Sequence, residues 1–378
     1  MTNVRTLLFS AFVAMAFVAM ATLGCTHTTL TRDASHEPSL QATSSLRNED
    51  AIVRRIETAM GRQQIPGLQV AIGIDGQIAF ERGFGFADVE NEVRTTAETR
   101  FRTASIAKSM TAVATLQSVE RGRVDLDADV RTHVPEFPEK RWPVTVRDLL
   151  GHLGGVRHYV RPGESTGTKH YDSVRASLAC FANDPLVVKP RERFVYTTFG
   201  YTLLGCVVEA ATEQSFEDAL RASIWRPAGM THTCIDDETR LVPGRARGYE
   251  IVNGEVVPAA LHDTSMKVPG GGLRSTATDL VRFGFALLQD DLVQRSTRDL
   301  MWTRQTTADG KATGYGLGFS IGAFDDEPLI GHSGGQAGTS CLLRMRPNHG
   351  HVVAVMTNRE GARLDALVRD VLRLLASG

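Results

Sequence analysis

The 378-residue chain lacks an excess of charge of either sign: 42 Lys and Arg against 43 Asp and Glu leave a net charge of −1. Nothing in that balance points to nucleic acid or an acidic surface as a partner. No C-x-x-C or H-E-x-x-H spacing occurs, and His232 with Cys234 in "HTC" is an isolated pair that reads as structural. No metal or other cofactor is therefore expected. "PGGGLRS" lacks the lysine of a phosphate loop and reads as a turn before a helix. No fixed-period repeat and no low-complexity tract is present. What remains is an ordinary globular composition, 42 % hydrophobic and 22 % charged, with ample length for a sizeable core.

Long apolar runs are also missing, with one exception. Thr6 to Gly24 carries no charge and follows Arg5, which reads as a secretory signal over residues 1–24. The run is long enough to span a bilayer, so an uncleaved anchor is the alternative. "TLGC", ending at Cys25, resembles the lipobox of bacterial lipoproteins, with Thr22 where leucine is usual. That resemblance implies a lipid on Cys25, and Thr26 after it resembles the sorting signal for the outer membrane, facing the periplasm. Residues 25–47 are polar and Ser/Thr-rich and read as a flexible tether to a domain spanning 48–378. Export would allow Cys180, Cys206, Cys234 and Cys341 to pair in three ways. Two of them sit in apolar runs, so buried free thiols are the expectation.

Residues 49–63 place Ile52, Ile56, Ala59 and Met60 among charges, the spacing of an amphipathic helix. "LQVAIGIDGQIAFERGFG" alternates around Asp75-Gly76, a strong hairpin signal. Residues 105–255 are mostly helical segments broken by Pro and Gly. "YGLGFSIGAF", "PLIGHSG", "TSCLLRMRP" and "HVVAVMTN" then read as strands, with a hairpin at "PNHG" and a last helix in "ARLDALVRDVLRLLAS". The expected fold is α/β of the α+β type. Strands from both ends join one antiparallel sheet flanked by helices, with a mostly helical lobe inserted and a cleft between the two.

Two serines compete for a nucleophile's role. Ser333 in "GHSGG" fits G-x-S-x-G, but an elbow serine needs a helix after it, and Gly-rich, strand-like sequence follows instead. Only His349 and His351 lie beyond it to complete a triad. Ser105 and Lys108 form S-x-x-K at the start of a helix with Ile106, Met110, Val113 and Ala114 along one stripe. Of the six lysines, only Lys108 lies three residues after a serine. Side chains three apart on a helix are neighbours. A serine hydroxyl needs a base, and lysine serves only when neutral, a state that burial and the positive end of the helix dipole both favour. His152 and His158 flank a Gly-rich loop and read as structural; Arg157 and Tyr159 stand beside them as cleft-lining candidates.

With Tyr196 in "FVYTTFGYTLLG" and His332 in "HSGG", the chain resembles the serine beta-lactamase-like superfamily of class C beta-lactamases, D-alanyl-D-alanine carboxypeptidases and esterases. Its S-x-x-K, Y-x-N and K-T-G or H-x-G motifs match Ser105–Lys108, Tyr196–Thr198 and His332–Gly334 in order. "YTTFGYTLLG" and "HLGGVRHY" are most similar to the mitochondrial serine beta-lactamase-like branch. The resemblance implies a beta-lactamase/transpeptidase-like fold and an acyl-enzyme on Ser105. It implies proton work by Lys108 and Tyr196, His332 at the catalytic strand, and an oxyanion hole from the N–H groups of Ser105 and Gly335. It gives Ser333, Gly334 and Thr198 a place at the substrate, a peptide, amide or ester. His332 for lysine and Thr198 for asparagine weaken the case for efficient beta-lactam hydrolysis. A penicillin-recognising protein without turnover, or a filament-forming protein, is the alternative.

Overall fold

A computed structural model of the chain describes residues 46–376. The signal segment 1–24, Cys25 and nearly all of the tether lie outside the described residues. Among the described residues no helix is long and apolar enough to cross a membrane.

A seven-stranded antiparallel sheet is built from both ends of the domain. Its strands are β1 (Gly67–Ile74), β2 (Gln77–Asp88), β3 (Val93–Arg94), β4 (Ser320–Phe324), β5 (Glu327–Gln336), β6 (Thr339–Arg346) and β7 (His351–Thr357). The order is β3-β2-β1-β7-β6-β5-β4, so β1 joins the N-terminal hairpin to β7, with Val70 opposite Val355. Asp75 and Gly76 between β1 and β2 both have positive φ, 49° and 83°, as a tight hairpin that follows the strand twist requires. At "PNHG" the chain makes a short 3-10 turn, Pro347–His349, closed by Gly350 at φ 60°.

Alternation along the strands splits the core in two. One face places Leu68, Val70, Ile72, Leu342, Val353 and Val355 against helices α1 (Glu49–Gln63) and α5 (Asp365–Ala376). The opposite face offers Ala71, Ile330, Leu343, Val352, Ala354 and Met356 to the inserted segment, residues 95–319. That segment contributes α2 (Ala107–Glu120), α3 (Phe199–Thr212) and α4 (Ala277–Leu288). Cys180, Cys206, Cys234 and Cys341 are unpaired.

Helix α2 departs from the single apolar stripe read from its sequence. Twelve of its residues, from Ala107 to Ser118, are buried, because other helices and loops pack around it. Its hydroxyls are satisfied locally or across the interface: Thr115 donates to the Thr111 carbonyl at 2.8 Å, Ser118 to Ala114 at 3.1 Å and Thr111 to Pro269 at 2.6 Å. Hydroxyls bonded in this way carry little burial cost, which lets a Ser/Thr-containing helix run through a core.

Candidate active site

Ser105 sits in a 3-10 turn, Ala104–Ile106, that runs directly into α2. Ala104, just before it, has φ 44°, a left-handed conformation that costs a residue with a Cβ about 1 kcal/mol or more. Its Cβ is wedged against β5: a Cβ on Gly334 would lie 3.0 Å from that of Ala104 and 2.5 Å from the Thr103 carbonyl oxygen. The glycine at 334 therefore lets the nucleophile turn press onto the strand. No propensity rule places alanine in that conformation, so the strain was not visible in the sequence.

One helical turn on, Lys108 is fully buried. Its Nζ lies 2.6 Å from the Gly270 carbonyl oxygen, 3.1 Å from Ser105 Oγ and 3.2 Å from Thr198 Oγ1, with no carboxylate among these partners. Burial first, and the charge of Lys267 second, hold its pKa well below that of a free lysine. The Tyr196 ring centre is 5.0 Å from Nζ. Burial pushes the Tyr196 phenol up to about 12, against the pull of the Ser105 hydroxyl beside it.

Two histidines hold the Tyr196 segment. His152 Nδ1 accepts the Thr197 N–H and His158 Nδ1 accepts the Thr198 N–H, both at 3.2 Å. Their rings lie 4.3 and 5.8 Å from that of Tyr196. An imidazole accepts only when neutral. Burial, with Lys108 adding to it, depresses both: His152 well below its usual value and His158 to about 4. Arg157 lies beneath this loop, paired with Glu164 and Asp184.

Ser105, Tyr196, Thr198 and Gly335 share a cleft of about 280 Å³ with His158, Tyr159, Ser165, Thr166, Lys267, Gly270, Gly271, Gln336, Ala337 and Glu360. Two larger hollows of about 640 Å³ elsewhere are not lined by serine. Strand β4 pairs only with Glu327–Gly331, so β5 from His332 onward presents an open edge on that side.

His332 and Ser333 do not line the cleft. His332, expected at the catalytic strand, is placed on β5 with its side chain buried. Its ring is buried, with Nε2 2.8 Å from the Tyr315 hydroxyl and Nδ1 2.6 Å from the Ser333 carbonyl oxygen. The carbonyl fixes the proton on Nδ1, so Nε2 accepts from Tyr315. Burial and then Lys108 depress its pKa to about 3, keeping it neutral. Gly334 is packed under Ala104 rather than open to the cleft, and Ser333 is exposed. Lys267 and Glu360 were missed; the one signal for Lys267 was a rare lysine in the apolar, Gly-rich stretch "SMKVPGGG". Among the described residues no group of three or more His, Cys, Asp or Glu is arranged to hold a metal ion.

A family model described as Beta-lactamase matches residues 52–377. The chain belongs to this beta-lactamase family. This beta-lactamase-family protein is 31 % identical over 323 residues to the serine beta-lactamase-like protein LACTB, mitochondrial, of Homo sapiens, covering 66 % of this chain and 58 % of LACTB. It is 27 % identical over 328 residues to Protein flp of Staphylococcus aureus (strain MRSA252), covering 84 % of this chain and 64 % of flp. The chain thus spans less than two thirds of the length of both relatives. Among solved structures it is similar to the octameric penicillin-binding protein homologue from Pyrococcus abyssi: 27 % identity, TM-score 0.74, 87 % of this chain and 77 % of that one. The D-amino acid amidase from Ochrobactrum anthropi SV3, at 22 % identity and TM-score 0.75 over 87 % of this chain and 99 % of that one, shares the fold of this beta-lactamase-family protein.

Proposed function

We propose that the protein is an acyl-enzyme serine hydrolase acting on amide, peptide or ester bonds, with Ser105 as nucleophile. The observation that carries this reading is the 3.1 Å approach of the buried Lys108 amine to Ser105 Oγ with no carboxylate in its shell. A neutral amine has two N–H bonds and one lone pair. The Gly270 carbonyl and Thr198 Oγ1 take the hydrogens, and the lone pair is left for the serine proton.

As Ser105 Oγ bonds to the substrate carbonyl carbon, its proton passes to Lys108, or to Tyr196 acting with it. Negative charge builds on the former carbonyl oxygen, where the N–H groups of Ser105 and Gly335 receive it. The open edge of β5 gives an extended substrate a backbone to pair with. Collapse returns the proton to the leaving amine or alcohol and leaves an ester on Ser105. Water, deprotonated through Tyr196, then frees the acid.

Peptidase or esterase action is favoured over efficient beta-lactam hydrolysis, because the neutral His332 offers no positive charge at the strand and Thr198 offers no amide. The D-amino acid amidase named among the similar structures supports the amide class.

The test is labelling with a fluorophosphonate, mapping of the adduct by mass spectrometry, and steady-state turnover of an activated ester. An adduct on Ser105 with turnover is expected. Labelling at Ser333, or none at all, overturns the reading. A burst without turnover favours the alternative, a binding or sensing protein that acylates but does not turn over.

A further inference from the structure

The segment that supplies the Gly270 carbonyl to Lys108 also places a second buried lysine in the cleft. Lys267 closes the turn Ser265–Lys267 just before Val268–Gly271. It lines the cleft beside Ser105, Tyr196 and Gly335, and is only 2 % exposed. Its placement is rigid, since the carbonyls of Pro269 and Gly270 accept from Thr111 and Lys108 of α2.

This side chain is under-used by the protein. Nζ donates to the Ser165 carbonyl at 3.1 Å and lies 5.7 Å from the Tyr159 ring, a contact suited to a cation. It makes no ion pair among the described residues, because the surrounding carboxylates are engaged elsewhere. Asp236 binds Arg102 and Arg274, Glu164 binds Arg157, Asp263 pairs with His170, and Glu360, the carboxylate that lines the same cleft, accepts the Gly338 N–H at 3.2 Å. Burial first and Arg102 second lower its pKa to about 8, with Asp236 opposing them, so the amine is mostly protonated at neutral pH. An ammonium buried without a counter-ion is destabilising, and a ligand's anion offsets that cost when it fills the cleft. Lys267 is also the one lysine or arginine among the described residues lining this cleft.

We propose that Lys267 is the recognition group for a free carboxylate on the substrate, which makes the preferred substrates amides, peptides or esters bearing a carboxylate within reach of the Ser105 carbonyl site. The placement of the scissile bond rests on the hydrolase reading above. The carboxylate site does not need turnover. It replaces, from another segment of the chain, the positive charge that neutral His332 does not provide at β5.

The experiment measures equilibrium binding by ligand-observed NMR on the full-length protein, with N-benzoyl-D-alanine and its neutral carboxamide as probes. Wild-type protein is expected to bind the carboxylate at least about tenfold more tightly than the amide. Lys267→Met and Lys267→Gln should bring the two within about twofold, and Lys267→Arg should retain most of the preference. Added salt should reduce the wild-type preference. Equal binding of both probes by wild type, or a preference that survives in Lys267→Met or Lys267→Gln, overturns the proposal. Failure of the hydrolase reading shows separately, as absence of the Ser105 adduct. Both neutral variants remove a buried unpaired charge, so both should melt no lower than wild type.

Discussion

Lys108 Nζ stands 3.1 Å from Ser105 Oγ, one turn apart where the 3-10 turn Ala104–Ile106 runs into the buried helix α2. Removing the hydroxyl in Ser105→Ala should abolish ester hydrolysis. Ser333→Ala should keep more than about half of it, because Ser333 is exposed and does not line the cleft. Initial rates on one activated ester decide between the two, and an inactive Ser333→Ala beside an active Ser105→Ala reverses the assignment.

Replacing the phenol in Tyr196→Phe should lower turnover by about 10²- to 10⁴-fold, the usual contribution of a positioned proton-transfer group. The ring stays packed on His152, so the melting temperature should change little. Unchanged turnover in a folded Tyr196→Phe protein would remove the phenol from the mechanism.

Burial holds the Lys108 pKa well below that of a free lysine in the folded state, while the unfolded chain binds its proton up to a pKa of ~10.4. Between the depressed folded value and that limit, the unfolded state holds more protons, so stability rises with pH. Wild type should therefore gain stability relative to Lys108→Met as pH goes from 7 to 10, measured by denaturant titration. A constant difference would mean that the buried amine keeps its charge.

The same linkage gives an acid signature. His332 and His262 are depressed to about 3 and His158 to about 4, burial being the main cause in each case. Below the unfolded value of ~6.5, only the unfolded chain takes up these protons. Stability should then fall by up to roughly 1.4 kcal/mol per pH unit per histidine until the folded groups titrate. Melting curves from pH 7 to 4 should be less steep for His332→Gln than for wild type; equal slopes contradict the assignment.

The adjacent glycines of β5 should separate folding from function. Gly334→Ala drives a Cβ to 2.5 Å from the Thr103 carbonyl oxygen, beside the strained Ala104 turn, and should lose both stability and activity. Gly335→Ala meets nothing within 4 Å, so it should fold normally while its methyl narrows the cleft. Equal melting temperatures for the two variants would refute the wedge.

Strand and helix identity were largely legible in the sequence, because each depends on local period and turn chemistry. The Asp75-Gly76 hairpin, the C-terminal strands and the final helix followed from spacing alone. Ser105 and Lys108 could be paired in advance because i and i+3 on one helix are neighbours whatever surrounds them. Local rules could not show that α2 is enclosed on every side, which replaces the expected stripe by all-round burial.

Only the tertiary structure decided what the environment does to each group. His332 was readable as a strand histidine, but its burial and the clasp of Tyr315 depend on which face of β5 packs inward. His152 and His158 became acceptors for the Tyr196 segment, and Lys267 became the cleft's unpaired cation, through contacts between segments far apart in the chain. Sequence specifies the elements through short-range geometry. Charge state and site membership are set by long-range packing, because burial and neighbouring charges, not residue type, fix a pKa.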